Sequence, residues 1–170
     1  MKAKILAQLA AIGPNDSIWI YQSNRVLNDQ ESQTLLESGA EFAANWSTHG
    51  KSLQASVLLV EKLFVIIRVD KNHLAASGCS IDKSVKWVKD TEEALGITLL
   101  DRLQVAWIES GDQLKYGKPT DFEASVRAGN ANANTLIFNN TVTSGLTMLT
   151  QWMIPASQSW LSRFTQKTTA

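Results

Sequence analysis

A single cysteine, Cys79, excludes an internal disulfide and fits a chain kept in a reducing compartment. With two histidines, His49 and His73, that thiol falls short of a closed zinc site, and no CxxC or HxxxH spacing occurs. No metal and no cofactor is therefore expected. An excess of one charge is missing as well: 16 Lys plus Arg balance 16 Asp plus Glu, so no global field draws in nucleic acid or an anionic membrane. No apolar run approaches the roughly 20 residues of a membrane span. The opening MKAKILAQLAAIGP has a short apolar run, but Gln8 interrupts it and no small-x-small cleavage site follows. It reads as a short helix ending at Gly13-Pro14.

A phosphate loop is absent too, although Gly50-Lys51-Ser52 imitates the end of one. The loop needs a glycine five residues before its second glycine so that backbone N–H groups wrap the phosphates. Asn45 stands there, followed by bulky Trp46. The segment also follows a predicted helix and precedes a predicted strand, the reverse of the order that aims a helix dipole at phosphate. Nucleotide hydrolysis is not supported.

What is present is ordinary globular material. Hydrophobic residues make up 44% and charged ones 19% of 170 residues, enough for one domain with its own core. SIWIY (Ser17 to Tyr21) is a β-branched and aromatic strand after a turn signal. Helical spacing of Leu35, Leu36, Gly39, Ala40, Ala43 and Trp46 predicts a helix capped at Asn28-Asp29 and stopped at His49-Gly50. Leu53 to Val60 and Leu63 to Asp70 form a predicted hairpin across Glu61-Lys62. A second helix runs from about Ser80 to Leu95 and closes at Gly96. Leu103 to Glu109 is a further strand, Asp121 to Ala128 a short helix and Thr135 to Val142 another strand. The tail through Trp160 to Phe164 is predicted helical on both sides of Pro155.

The order strand, helix, strand, strand, helix, strand predicts an α+β fold: an antiparallel sheet with a ferredoxin-like βαββαβ core at about 17–110 and a C-terminal extension at about 111–170. The strand at 63–69 is apolar on both faces, so something besides the two helices must cover the sheet. The C-terminal segment with Trp152, Trp160 and Phe164 is one candidate and a homodimer the other.

This topology gathers His49, Asp70, His73 and the Cys79, Ser80, Asp82 group at one edge. A thiol at a helix start, with imidazole to activate it and carboxylate to orient the ring, is a nucleophile arrangement. The catalytic candidates are Cys79, His49 and Asp82. Against this stands a small buried cysteine with no chemistry, and an Asp82 that favours the helix start while opposing a thiolate. Asp70, His73, Ser80, Asn139, Trp160 and Arg163 are binding candidates. Asn139-Asn140 either hydrogen-bonds a ligand or forms a turn, and Trp160 with Arg163 either clamps an anion or docks the tail. Trp46, Trp87, Trp107 and Trp160 read as core, since no basic stripe accompanies them as a base-stacking platform requires.

WIYQSNR, NWSTHG, SGCSIDKSV, LLDRLQVAW, IFNNTV and IPASQSWLSRF together resemble a Bacteroidetes family of small uncharacterised proteins often auto-named "ABC transporter ATPase". The resemblance implies a cytoplasmic bacterial protein and carries no catalytic residues onto these positions. Its inherited label conflicts with Asn45 in the failed phosphate loop. The expected function is a non-catalytic binding or assembly module for an unknown protein or small-molecule ligand, with Cys79 buried and unreactive. The alternative is a thiol-dependent enzyme or redox-sensitive protein using Cys79 assisted by His49. Neither nucleic acid nor membrane is an expected partner.

Overall fold

The structure, a computed structural model, describes residues 1–165. Helix α1 (Lys2–Gln8) turns Ile5 inward, and strand β1 (Ser17–Gln22) follows. Helix α2 (Asp29–Asn45) opens on a capping box. Asn28 Oδ1 accepts from the Glu31 N–H and the Glu31 carboxylate from the Asn28 N–H, both at 2.9 Å, filling two donors that a helix start leaves unpaired. A small hairpin of β2 (Ser47–Thr48) and β3 (Lys51–Ser52) leads into β4 (Ala55–Val60) and β5 (Phe64–Val69). Glu61, Lys62 and Leu63 join those two strands, the first two at φ of 50° and 53°, a left-handed pair whose twist suits a tight hairpin turn. Gln8 supports the turn by accepting from the Glu61 N–H at 3.1 Å.

Helix α3 (Gly78–Leu95) ends on Gly96 at φ 59°, as expected of a glycine stop. The chain then builds β6 (Val105–Glu109), β7 (Gln113–Gly117), α4 (Pro119–Arg127), β8 (Leu136–Phe138), α5 (Gly145–Gln151) and β9 (Met153–Pro155). Two 3-10 turns, at 156–158 and 160–164, close the described part.

The strands form two main antiparallel sheets, ordered β1-β5-β4 and β7-β6-β8-β9. Phe64 and Ile66 of β5, Ile18 of β1 and Val60 of β4 meet Ala106 of β6 and Phe138 of β8 in one core, with α1 and α5 adding Ile5 and Met148. On the outer face of the first sheet, Val65, Ile67 and Val69 pack on Leu35 of α2 and on Trp87 and Val88 of α3. On the outer face of the second, Val105, Trp107 and Ile137 pack on Phe122 of α4 and on Leu161. The period-two alternation of β5 and β6 sends successive side chains into different cores, which accounts for their apolar character on both faces.

The mixed helix-and-strand class and the antiparallel sheets agree with the sequence. The expected four-stranded βαββαβ core does not assemble as one sheet. Its first three strands take their places, but β6 pairs with β7 and β8 instead of joining β1. The physical reason is that β6 itself has two apolar faces, and the second sheet provides a core for each. The C-terminal half is accordingly no loose extension: it forms that sheet and covers the second face of the first. Fully buried Trp152 lies in that covered face, as anticipated, whereas Trp160 is 50% exposed. The apolar face is thus filled within one chain, without a second copy. The tail is helical on both sides of Pro155 as expected, with α5 before it and two 3-10 turns after it, but Pro155 itself ends edge strand β9, where its missing N–H breaks no ladder.

Candidate functional site

The residues singled out from sequence fall into three places. Thr48 Oγ1 donates to Ser77 Oγ at 2.7 Å, so the β2–β3 hairpin does meet the start of α3. His49, at φ 48° on the hairpin turn, is exposed, and Cys79 and Asp82 are exposed on the first turns of α3. No hydrogen bond joins any two of these three among the described residues. The expectation of a buried Cys79 is corrected, because Cys79 points away from the face through which α3 buries Ser80 and Ser84. Ser80 is core structure: its hydroxyl donates to Ser77 O at 2.8 Å and its carbonyl accepts from Trp46 Nε1 at 2.7 Å.

Asp70 accepts from the Asn72 N–H at 2.8 Å, an Asx turn, and lies 3.7 Å from His73 Nε2 on the surface. Among the described residues no three His, Cys, Asp or Glu side chains converge as metal ligands. Trp160 and Phe164 both lie under the Arg163 guanidinium, at 5.5 and 4.7 Å from ring centroid to carbon, so the cation is engaged with its own neighbours. Trp46, Trp87 and Trp107 are core residues, and they divide between two cores.

A concave site lies elsewhere, along the outer edge of β1. Because β6 leaves for the second sheet, the edge of β1 away from β5 is covered only at its start. There the Ile18 N–H donates to Thr143 O at 3.0 Å, and Ser17 bridges Ser144. Strand alternation turns the peptide groups of Ile20 and Gln22 to the same edge. No backbone or side-chain hydrogen bond takes them among the described residues. The cavity there holds about 320 Å³, within the ordinary range for small-molecule sites, and is walled by β1, the crossover at 99–104 and the loop at 140–143.

Local hydrogen bonds fix both walls. On one side Asn24 and Thr98 exchange two bonds, Asn24 N to Thr98 O at 3.1 Å and Thr98 N to Asn24 Oδ1 at 2.9 Å. Glu92 Oε1 accepts from the N–H groups of Leu99 and Leu100 at 2.5 and 2.8 Å, which holds the crossover against the end of α3. On the other side Asn139 makes an Asx turn, its Oδ1 accepting from the Thr141 N–H at 3.3 Å and hydroxyl at 2.6 Å. The turn reading of Asn139 is therefore the one realised.

Asn140, the next residue, reaches inward. Its Nδ2 donates to Gln22 Oε1 at 3.0 Å, and its Oδ1 accepts from Trp152 Nε1 at 2.9 Å. Gln22 is 4% exposed and borders the cavity, yet its Nε2 has no acceptor among the described residues. A buried amide N–H left without a partner is expensive, and Arg68 Nε and Trp107 Nε1 share that condition among the described residues.

Arg102 stands exposed at the rim and makes no ion pair among the described residues. Burial pushes the Tyr21 phenol up from its ordinary range, and the Arg102 cation pulls it part of the way back. Asp101, the other charged lining residue, is committed elsewhere: it receives the Lys118 ammonium, the Leu103 N–H at 2.9 Å and Gln104 Nε2 at 3.2 Å. The Lys118 bond, first among these, holds its carboxyl below the ordinary carboxylate range.

Sequence reasoning missed Tyr21, Gln22 and Arg102. The available signal was an uncharged polar side chain ending a strand that is otherwise apolar on both faces. In comparisons with family models, with curated proteins and with solved structures, the chain has no match to any of the three.

Proposed function

We propose that this chain is a non-catalytic binding module and that the cavity along β1 takes its ligand. The observation that carries this reading is the open edge of β1: a cavity of about 320 Å³ lies along it, where the peptide groups of Ile20 and Gln22 have no partner among the described residues. The walls are pinned by Glu92, Asn24 and Asn139, so the site is preformed and little ordering opposes binding. The Bacteroidetes resemblance and a cytoplasmic bacterial setting belong to the same proposal and are compatible with a binding role. Thiol chemistry at Cys79 is supported by exposure alone, without a hydrogen-bonded base.

A fragment screen on the full chain, followed through backbone amide shifts, tests the proposal. Hits are expected to move Ile18 to Gln22, the 99–104 crossover and the 140–143 loop together. Hits that instead cluster around Cys79 and His49, or none at millimolar concentration, overturn it.

A further inference from the structure

Along its outer edge β1 is closed at both ends and open in the middle. At the start the Ile18 N–H donates to Thr143 O at 3.0 Å, and the Gly145 N–H donates to Asp16 O at 2.9 Å. Past the end of the strand the Asn24 N–H donates to Thr98 O at 3.1 Å. Between these closures lie the peptide groups of Ile20 and Gln22. Gln22 is 4% exposed, whereas Ile20 is half-buried and lines the cavity. The pair that a bound molecule meets is therefore the N–H and C=O of Ile20. In an antiparallel strand those two groups of one residue point the same way. One open residue is too short a stretch for an added peptide strand, so the ligand is a small molecule. Leu99, Leu100 and Val142 give it apolar walls, and the Asp101 charge is taken up by Lys118.

We propose that the ligand is a lactam with an apolar body, and that its cis amide edge pairs with the peptide groups of Ile20. The proposal rests on the cavity being the binding site and adds what its edge recognises. A peptide donor and acceptor taken out of water each need a partner. A carboxylate brings acceptors only and sets one against the Ile20 oxygen, and an ammonium brings donors only and sets one against the Ile20 N–H. A trans amide points its N–H and its oxygen in opposite directions and meets one group at a time. A cis amide points both the same way: its oxygen accepts from the Ile20 N–H while its N–H donates to the Ile20 oxygen. Open-chain secondary amides hold the cis form only rarely, and a ring locks it. A terminal carboxamide also matches the edge, but it carries a second N–H into the apolar walls without a partner.

Three probes of nearly equal size test it on the full chain, each titrated while amide shifts of β1, the crossover and the 140–143 loop are followed. Oxindole holds its amide cis within a ring. N-Methyloxindole has lost the donor, and acetanilide keeps both groups but holds them trans. Oxindole is expected to bind about tenfold more tightly than either of the others, because only it pairs both peptide groups. At saturation it should also slow hydrogen exchange of the Ile20 N–H by about fivefold.

N-Methyloxindole or acetanilide binding in the cavity as tightly as oxindole overturns the inference while leaving the cavity as the site. So does an Ile20 N–H whose exchange is unchanged by saturating oxindole. Perturbation of none of the cavity residues by any probe overturns the cavity reading itself, and this inference with it.

Discussion

Trp152 Nε1 donates to Asn140 Oδ1 at 2.9 Å, and that bond determines which way round Asn140 stands. Trp152 is fully buried in the core between the sheets, against Phe64 and Phe138 with ring centroids 5.0 and 4.9 Å away. Packing therefore fixes the indole, the indole fixes Asn140, and Asn140 fixes Gln22. A core residue thus fixes which way the buried Gln22 amide is turned.

Removing the middle of this network should be felt in stability. Asn140→Ala leaves the indole N–H and the Gln22 oxygen without partners, and a loss of about 2 kcal/mol is expected. Urea unfolding should show a lower midpoint at unchanged slope. A change below about 0.5 kcal/mol would mean the bonds are replaced by water.

Gly39 gives a second prediction, in which two effects oppose each other. Glycine inside a helix costs about 1 kcal/mol relative to alanine, so propensity alone favours Gly39→Ala. A Cβ there would lie 2.8 Å from Val57 Cβ and 3.0 Å from its Cγ1, because α2 crosses β4 at that point. Overpacking of this kind costs about 1–3 kcal/mol and should win. Gly39→Ala is expected to lower the urea midpoint. A stabilised single variant would show that the helix can shift away from the sheet.

The third prediction concerns acid. Glu31 receives the Arg25 guanidinium through two bonds of 2.8 Å and the Asn28 N–H at 2.9 Å. Arg25, the larger cause, and the Asn28 N–H hold the Glu31 carboxyl down at about 2. The unfolded chain, with its carboxyl near the ordinary 4.5, takes up the proton first. The stability this group contributes is complete above pH 4.5 and is lost as pH falls toward 2. Glu31→Gln should flatten the pH dependence of the melting temperature in that window. An unchanged slope would contradict the assignment.

Cys79 supplies a fourth. It is exposed and has no hydrogen-bonded base among the described residues, so iodoacetamide should label it in the native protein without unfolding. The pH profile of labelling should be the same in His49→Ala. A profile displaced by that substitution would restore the thiol-enzyme alternative.

The first sheet and its helices were legible because their signals are local. β1, β4 and β5 are strongly apolar runs, α2 opens on Asn28, and α3 closes on Gly96. The second sheet was not. Its edge strand β7 reads QLKYG, too polar and glycine-terminated to stand out, β8 has three residues, and β9 ends in proline. Those strands are held by their partners in the sheet, which local sequence does not display. The partner of β6 was unreadable for the same reason, and the cavity exists because β6 pairs away from β1. The site suffered doubly, since Gln22 and Asn140 lie 118 positions apart. The Asn139-Asn140 pair stands out in the sequence, but the two residues share the work: the first makes the turn and the second bonds Gln22 and Trp152.

The most direct test of the account is a set of crystal structures of the full chain soaked with brominated fragments, the bromine located by its anomalous signal. The account predicts bromine between β1 and the 99–104 crossover. Fragments seated only elsewhere on the protein would contradict it.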